Sequence, residues 1–432
     1  MESNKPATRS PWLWVPSLYF AQGVPYVVVQ TVSIIMYKRL GVSNADIAFY
    51  TSLLYLPWVI KPLWSPFVDM FSTKRLWIVL FQFIVGVTLA LTAFVIPLPT
   101  FFQWTIAIFW IMAFSSSTHD IAADGFYMLA LDHHQQSAFV GVRSTFFRLA
   151  MISASGILVM LAGHLESSSN GNVPFACSIT FVILACSFLL FFAYHKLMLP
   201  YPPSDRPSRS SSDRSVMQEF VHTFVLFFKK KDIVAILFFL LFYRFAEAQL
   251  VKLVSPFLLD PRDKGGLGLT TTEVGIVYGT VGVIALTIGG LLGGYVVSRN
   301  GLKYWLWIMV FTIHLPDAAF VYLSHAQPES FFLVNVAVAF EQFGYGFGLT
   351  AYMLYMIIIA EGEHKTAHYA FCTGFMALGM MLPGLLSGYV QEWLGYKNFF
   401  LWVMVATIPG FIVAAFAKID PSFGRKVEKP VA

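Results

Sequence analysis

Apolar residues run through the chain in stretches of about twenty, separated by short polar segments. Residues 14–37, 76–96, 173–194 and 396–417 are each long enough to cross about 30 Å of hydrocarbon as a helix. Read to the end, the pattern predicts about twelve spans. They run over 12–37, 47–67, 76–96, 101–131, 138–162, 173–195, 233–257, 272–297, 303–323, 330–360, 367–390 and 396–417. A β-barrel would alternate polar and apolar residues in segments of about ten, and these runs do not. The expected fold class is an all-α polytopic membrane protein.

Composition agrees: hydrophobic residues make up 57% of 432 positions and charged residues 12%, and the mean hydropathy is +0.68. The first apolar run has full span length and no small-residue cleavage site after it, so it reads as a retained helix. Cys177, Cys186 and Cys372 lie inside apolar runs and carry no disulfide argument. One long segment, HKLMLPYPPSDRPSRSSSDRSVMQEF, is too polar to fold alone and reads as a linker. The chain is thereby divided into an N-terminal six-helix bundle (1–195), a linker with an interfacial helix (196–232) and a C-terminal six-helix bundle (233–432).

The net charge of +5 is explained by topology. With both termini cytoplasmic, Lys74, Arg75, Arg143, Lys196, Lys229, Lys230, Lys231, Arg299 and Lys303 join the basic tails on one side, while Lys38, Arg39, Arg262, Lys264 and Lys397 stay on the other. Binding of nucleic acid is not expected. The halves also repeat: sliding the chain by about 228 residues lays KRLWI (74–78) on LKYWL (302–306), and similar offsets recur in three further places. Two six-span halves joined by a long linker look like the parallel-repeat transporters of the major facilitator superfamily, which bind substrate between halves.

Charges inside spans are the candidate chemistry, because each costs about 2.5 to 3.5 kcal/mol unless it meets a partner or a wet cavity. Asp120 and Asp124 stack one helical turn apart on the fourth span. With the next turn centred near His134 to Gln136, Arg148 falls at the depth of Asp124 and is its expected counter-ion. A buried structural ion pair and a cavity-lining site both fit that arrangement. His119 points away from both carboxylates, as a proton relay or an interhelical hydrogen bond. No Cys/His cluster suggests a metal, and no cofactor motif or nucleophile set suggests an enzyme. Arg244 and Glu247 are i, i+3 neighbours able to neutralise each other, so a structural pair and a substrate-binding role are both open for them, and His119 is a further substrate-binding candidate. Glu341 stands among aromatics and glycines, with Gln22 and Tyr127 as weaker substrate contacts. Asp317, after Pro316, marks a kinked segment or an interfacial carboxylate.

LYLPWVIKPLWSPFVDMF (54–71) resembles the second-span signature of the AmpG muropeptide permeases and the related acetyl-CoA transporters. THDIAADGFYM (118–128) is similar to the family's fourth-span Gln-Asp-Ile-x-x-Asp pattern, and FFRLAM (146–151) to its Tyr-Arg-Leu-Gly-Met run. The motifs map onto Lys61, Trp64, Asp69, Asp120, Asp124 and Arg148. This chain departs in having His119 in place of glutamine, and twelve spans where fourteen are usual. The resemblance implies proton-driven import of N-acetylglucosaminyl-anhydro-N-acetylmuramyl peptides across a bacterial inner membrane, as in peptidoglycan recycling. On that reading Asp120, Asp124 and Arg148 couple protons, and Lys61 lies near the substrate path. Asp69, Lys74 and Arg75 make gate contacts. The expected partners are protons, a sugar-peptide and the lipid bilayer, with the chain acting as a monomer. A carrier of another sugar or of an anionic metabolite such as acetyl-CoA is the alternative, followed by a nutrient receptor.

Overall fold

The structure is a computed structural model that describes residues 9–207, 213–361, 365–421 and 423. Among these residues all regular structure is helical. The spans are α1 (Pro11–Arg39), α3 (Lys74–Val95), α4 (Phe101–Ala130), α6 (Val173–Met198), α7 (Ile233–Leu259), α8 (Thr271–Asn300), α9 (Leu302–Ala326) and α10 (Phe331–Ala360). Between them, α2 is made of Asn44–Leu53 and Leu56–Phe71, broken at Leu54 and Tyr55. The fifth, α5, starts with His133–Met151 and continues through a π-helical stretch, Ile152–Ile157, into Leu158–Ser168. The last apolar stretch, Ala367–Ala415, is 49 residues long and turns at Gly395, whose φ of 69° favours glycine. That turn separates α11 from α12, and with the broken α2 counted as one element the described residues form twelve helical stretches, of which the expected second span is not a single membrane-length helix.

Packing divides the chain into two units, Met1–Ser33 with Leu63–Val216, and Ile34–Pro62 with Met217–Ala432. This boundary differs from the one drawn on the sequence for residues 34–62. The reason is visible in the second unit, where a Cβ on Gly388 of α11 would overlap the backbone of Asn44 and Ala45 on α2, and one on Gly374 would reach Val59 O. Polar contacts finish the seam. Lys38 Nζ meets Asp260 Oδ2 at 2.7 Å, and Asn44 Nδ2 donates to Gln391 Oε1 at 2.6 Å and to the Tyr396 hydroxyl at 2.8 Å.

Each unit has its own aromatic core. In the first, Trp14 meets Phe126 edge to face at 5.3 Å, surrounded by Leu18, Ile78 and Ala122. In the second, Phe239, Tyr243 and Tyr352 stack with Met309 and Ile313. The helix Asp213–Phe228 preceding α7 buries Phe227 against Phe371 and Phe375 of α11. Large apolar side chains such as Phe94, Leu190 and Phe332 remain exposed on the outside of the spans. In a multi-pass protein such residues face lipid tails.

Candidate functional site

In the first unit the charged centre is built on α4 and α5. Arg143 Nη2 donates to Asp124 Oδ1 at 2.8 Å, and the Tyr19 hydroxyl of α1 donates to the same oxygen at 3.2 Å. The guanidinium lies 4.5 Å from the Tyr19 ring centre and 5.2 Å from that of Tyr127, and the two rings meet edge to face at 5.9 Å. An ion pair flanked by two aromatic faces combines charge recognition with flat apolar surface. The pair is open rather than sealed, with the Arg143 and Asp124 side chains 30% and 40% exposed.

This corrects the expected partner of Asp124, which is Arg143 and not Arg148. The expected register placed the α4–α5 turn near His134 to Gln136. In the structure α4 ends at Ala130 and Asp132 caps α5, accepting from Gln135 N while the Gln135 side chain returns to Asp132 N. An earlier turn slides α5 along α4, and arginine side chains lean toward the N-terminus of their helix. Asp-x-x-Gln is a capping-box pattern, so the sequence did carry the signal. Asp120, one turn before Asp124, and Arg148, five residues after Arg143, are both half-buried. Arg148 Nη1 has no hydrogen-bond partner, and neither does Oε1 of buried Gln22 on α1.

His119 belongs to a different structure. A buried hydrogen-bonded chain crosses four spans, from Ser17 Oγ to His195 Nε2 (2.9 Å), His195 Nδ1 to Gln82 Oε1 (2.9 Å) and Gln82 Nε2 to His119 Nε2 (3.1 Å). With the Gln82 amide so oriented, His195 donates through Nδ1 and His119 accepts at Nε2. Gln82 and His195 went unnoticed in the sequence, where each is a lone polar residue in an apolar run.

Lys74 and Arg75 hold the start of the linker. Their backbone N–H groups donate to the two oxygens of Asp205 at 2.7 and 3.0 Å, which caps α3. The Arg75 guanidinium donates to Lys196 O and Leu199 O, closing the end of α6, and lies 3.8 Å from the Tyr201 ring centre. The Lys74 side chain lies against Gly125 of α4. Lys61 is half-buried on α2, and the side chain of Asp69 lies outside the described residues.

Two helix breaks in the second unit carry buried charges. Between Phe242 and Phe245, α7 is interrupted, and Arg244 there grips Glu247 through Nε–Oε2 (2.8 Å) and Nη2–Oε1 (2.7 Å). Arg244 Nη2 also donates to the Tyr345 hydroxyl of α10 at 2.7 Å. In α9, a short 3₁₀ turn at Leu315–Asp317 delivers Asp317 into the interior, so of its two readings the kinked segment holds and the interfacial carboxylate does not. Its Oδ2 has no hydrogen-bond partner. Glu341 of α10 accepts from Gln342 Nε2 at 2.9 Å. Among the described residues no group of three or more His, Cys, Asp or Glu side chains is arranged to hold a metal ion.

Membrane-length helices with breaks and buried charges narrow the fold, and the decisive comparison is with protein families. The sequence model of the Major Facilitator Superfamily matches residues 17–361. The chain belongs to this superfamily. Solved members of the fold include the nucleoside transporter NupG, at a TM-score of 0.70 and 17% identity over 94% of this chain and 98% of that one. A D-xylose-proton symporter aligns at a TM-score of 0.69 and 13% identity, covering 96% of this chain and 99% of the other. Among sequence relatives, the anhydromuropeptide permease of Escherichia coli is 25% identical over 92% of this chain and 77% of its own length. A Rickettsia conorii chain carrying the name AmpG 4 is also 25% identical, over 92% of this chain and 94% of its own. The protein is therefore a multi-pass major facilitator transporter that is similar in sequence to chains named AmpG.

Proposed function

We propose that this protein imports muropeptide-type sugar-peptides across a bacterial inner membrane by proton-coupled alternating access, with both termini in the cytoplasm. The observation that carries this reading is the open Asp124–Arg143 pair flanked by Tyr19 and Tyr127. A sugar-peptide presents flat pyranose faces and carboxylates, and this centre offers aromatic faces and guanidinium groups to meet them. Arg148, with Nη1 unpartnered, is positioned for a substrate carboxylate, and Gln22 Oε1 is free for an amide or hydroxyl donor. Asp120 and Asp124 are the carboxylates that exchange protons. When Asp124 is protonated its hold on Arg143 weakens, and the guanidinium passes to the substrate. Lys74 and Arg75 act in closure through the linker segment they clamp.

The permease relative supports the same substrate class, since its name specifies anhydromuropeptides and its similarity extends over most of both chains. Uptake of radiolabelled N-acetylglucosaminyl-anhydro-N-acetylmuramyl tripeptide into proteoliposomes tests the proposal. Accumulation driven by an acid-outside gradient, and competition by unlabelled sugar-peptide but not by acetyl-CoA, is the expected result. Uptake indifferent to the gradient would remove symport, and competition by acetyl-CoA alone would replace the substrate.

A further inference from the structure

The second unit contains a buried acidic centre that the first-unit site does not use. Glu247 and Asp317 are each 1% exposed and Glu341 is 2% exposed, on α7, α9 and α10 respectively. The three act electrostatically on one another, and the Tyr278 hydroxyl of α8 lies within range of both glutamates. A Cβ on Gly344 would overlap Thr312 O and the Pro316 ring, so glycine is what allows the α9 break to press against α10 near Glu341.

The charges around Asp317 do not balance. Arg244 spends Nε and Nη2 on Glu247 and shares Nη2 with Tyr345, and the groups acting on Asp317 are the two glutamates. Other titratable groups on the packed helices include Tyr243, Tyr345 and Tyr352, Lys252 of α7, which donates to the Thr51 hydroxyl of α2 at 3.1 Å, and His314, whose ring nitrogens lack hydrogen-bond partners. Asp317 Oδ2 is thus a sealed carboxylate oxygen with no donor, within electrostatic range of two further carboxyls. A small cation on that oxygen satisfies it, and interrupted membrane helices are where coupling ions are commonly held. A proton needs only that one carboxylate oxygen, whereas a metal cation takes several oxygen ligands.

We infer that Asp317, supported by Glu341 and the Arg244–Glu247 pair, is a proton-binding site in the second unit. A proton from the acidic side adds to the Asp317 carboxylate, stays with it through the conformational change and leaves to water on the other side. The inference rests on the symport reading above and adds a second carboxylate to it.

Two readouts separate this site from that reading. In proteoliposomes, Asp317→Asn is expected to keep sugar-peptide counterflow within about two-fold of wild type and to lose acid-driven accumulation by at least about ten-fold. In substrate-free protein, infrared difference spectra across an acid–base step should contain a protonated-carboxyl stretch that Asp317→Asn removes. Full accumulation in the variant with an unchanged spectrum would overturn the inference. Accumulation driven by a sodium gradient alone would also overturn it. If wild type fails to take up sugar-peptide yet the Asp317-dependent band persists, the substrate reading fails and the proton site stands. Should Asp317→Asn not fold, Glu341→Gln serves instead: it should shift the pH at which the band disappears, and an unmoved band would count against the site.

Discussion

Arg143 is the residue on which the first-unit site turns, because it holds Asp124 and stands against two tyrosine rings at once. Arg143→Gln should lower sugar-peptide uptake by about ten-fold or more, while Arg143→Lys restores charge without the planar fork and recovers only part of it. A transport assay on both variants checks this, and equal activity of Gln and Lys would show that charge is irrelevant there. Gln82 tests a structural role. Gln82→Leu leaves two buried imidazoles each short of a partner, at about 1 to 3 kcal/mol per orphaned group, so the thermal midpoint in detergent should drop clearly. Single residues were only partly legible in the sequence. Asp124 was visible as a carboxylate in an apolar run, but its partner depended on where the turn lies, and a misplacement of three or four residues exchanged Arg143 for Arg148. Tyr19 was hidden among many aromatics, since nothing in composition separates a site tyrosine from a core one.

At the scale of helices, glycine position decides contact. In GGLLGG of α8, a Cβ on Gly289 would overlap the backbone at Phe343 of α10, and one on Gly293 would come within 2.6 Å of Thr350 Oγ1, whereas Gly294 has open space around it. Gly289→Val should therefore force α8 and α10 apart and lower folded yield sharply, and Gly294→Ala should be tolerated. Size-exclusion profiles of the two variants distinguish these outcomes. Asp132→Ala should cost about 1 kcal/mol through loss of the capping box, and should also loosen the register that sets Arg143 opposite Asp124. The spans themselves were legible because hydrocarbon thickness fixes their length. The interruptions at Arg244 and at Leu315–Asp317 were not, apart from Pro316, because a break inside an apolar run leaves little trace in hydropathy.

For the whole molecule, the repeat and the linker marked two related halves, and membership of the major facilitator superfamily agrees with that reading. Packing adds what the repeat could not tell, that residues 34–62 associate with the second unit through the glycine face of α11 and the Lys38–Asp260 pair. A hydrophobic period reports which elements exist, while close backbone approach depends on which faces meet in three dimensions. The functional account joins an open ionic site in one unit to a sealed acidic site in the other, and its central claim is that sugar-peptide movement is powered by protons. The most direct measurement is accumulation of labelled anhydro-muropeptide in proteoliposomes under an imposed pH gradient, with and without a protonophore. The account predicts accumulation above the external concentration that collapses on adding the protonophore. Accumulation that survives it, or labelled substrate that only equilibrates in the presence of the gradient, would contradict the claim.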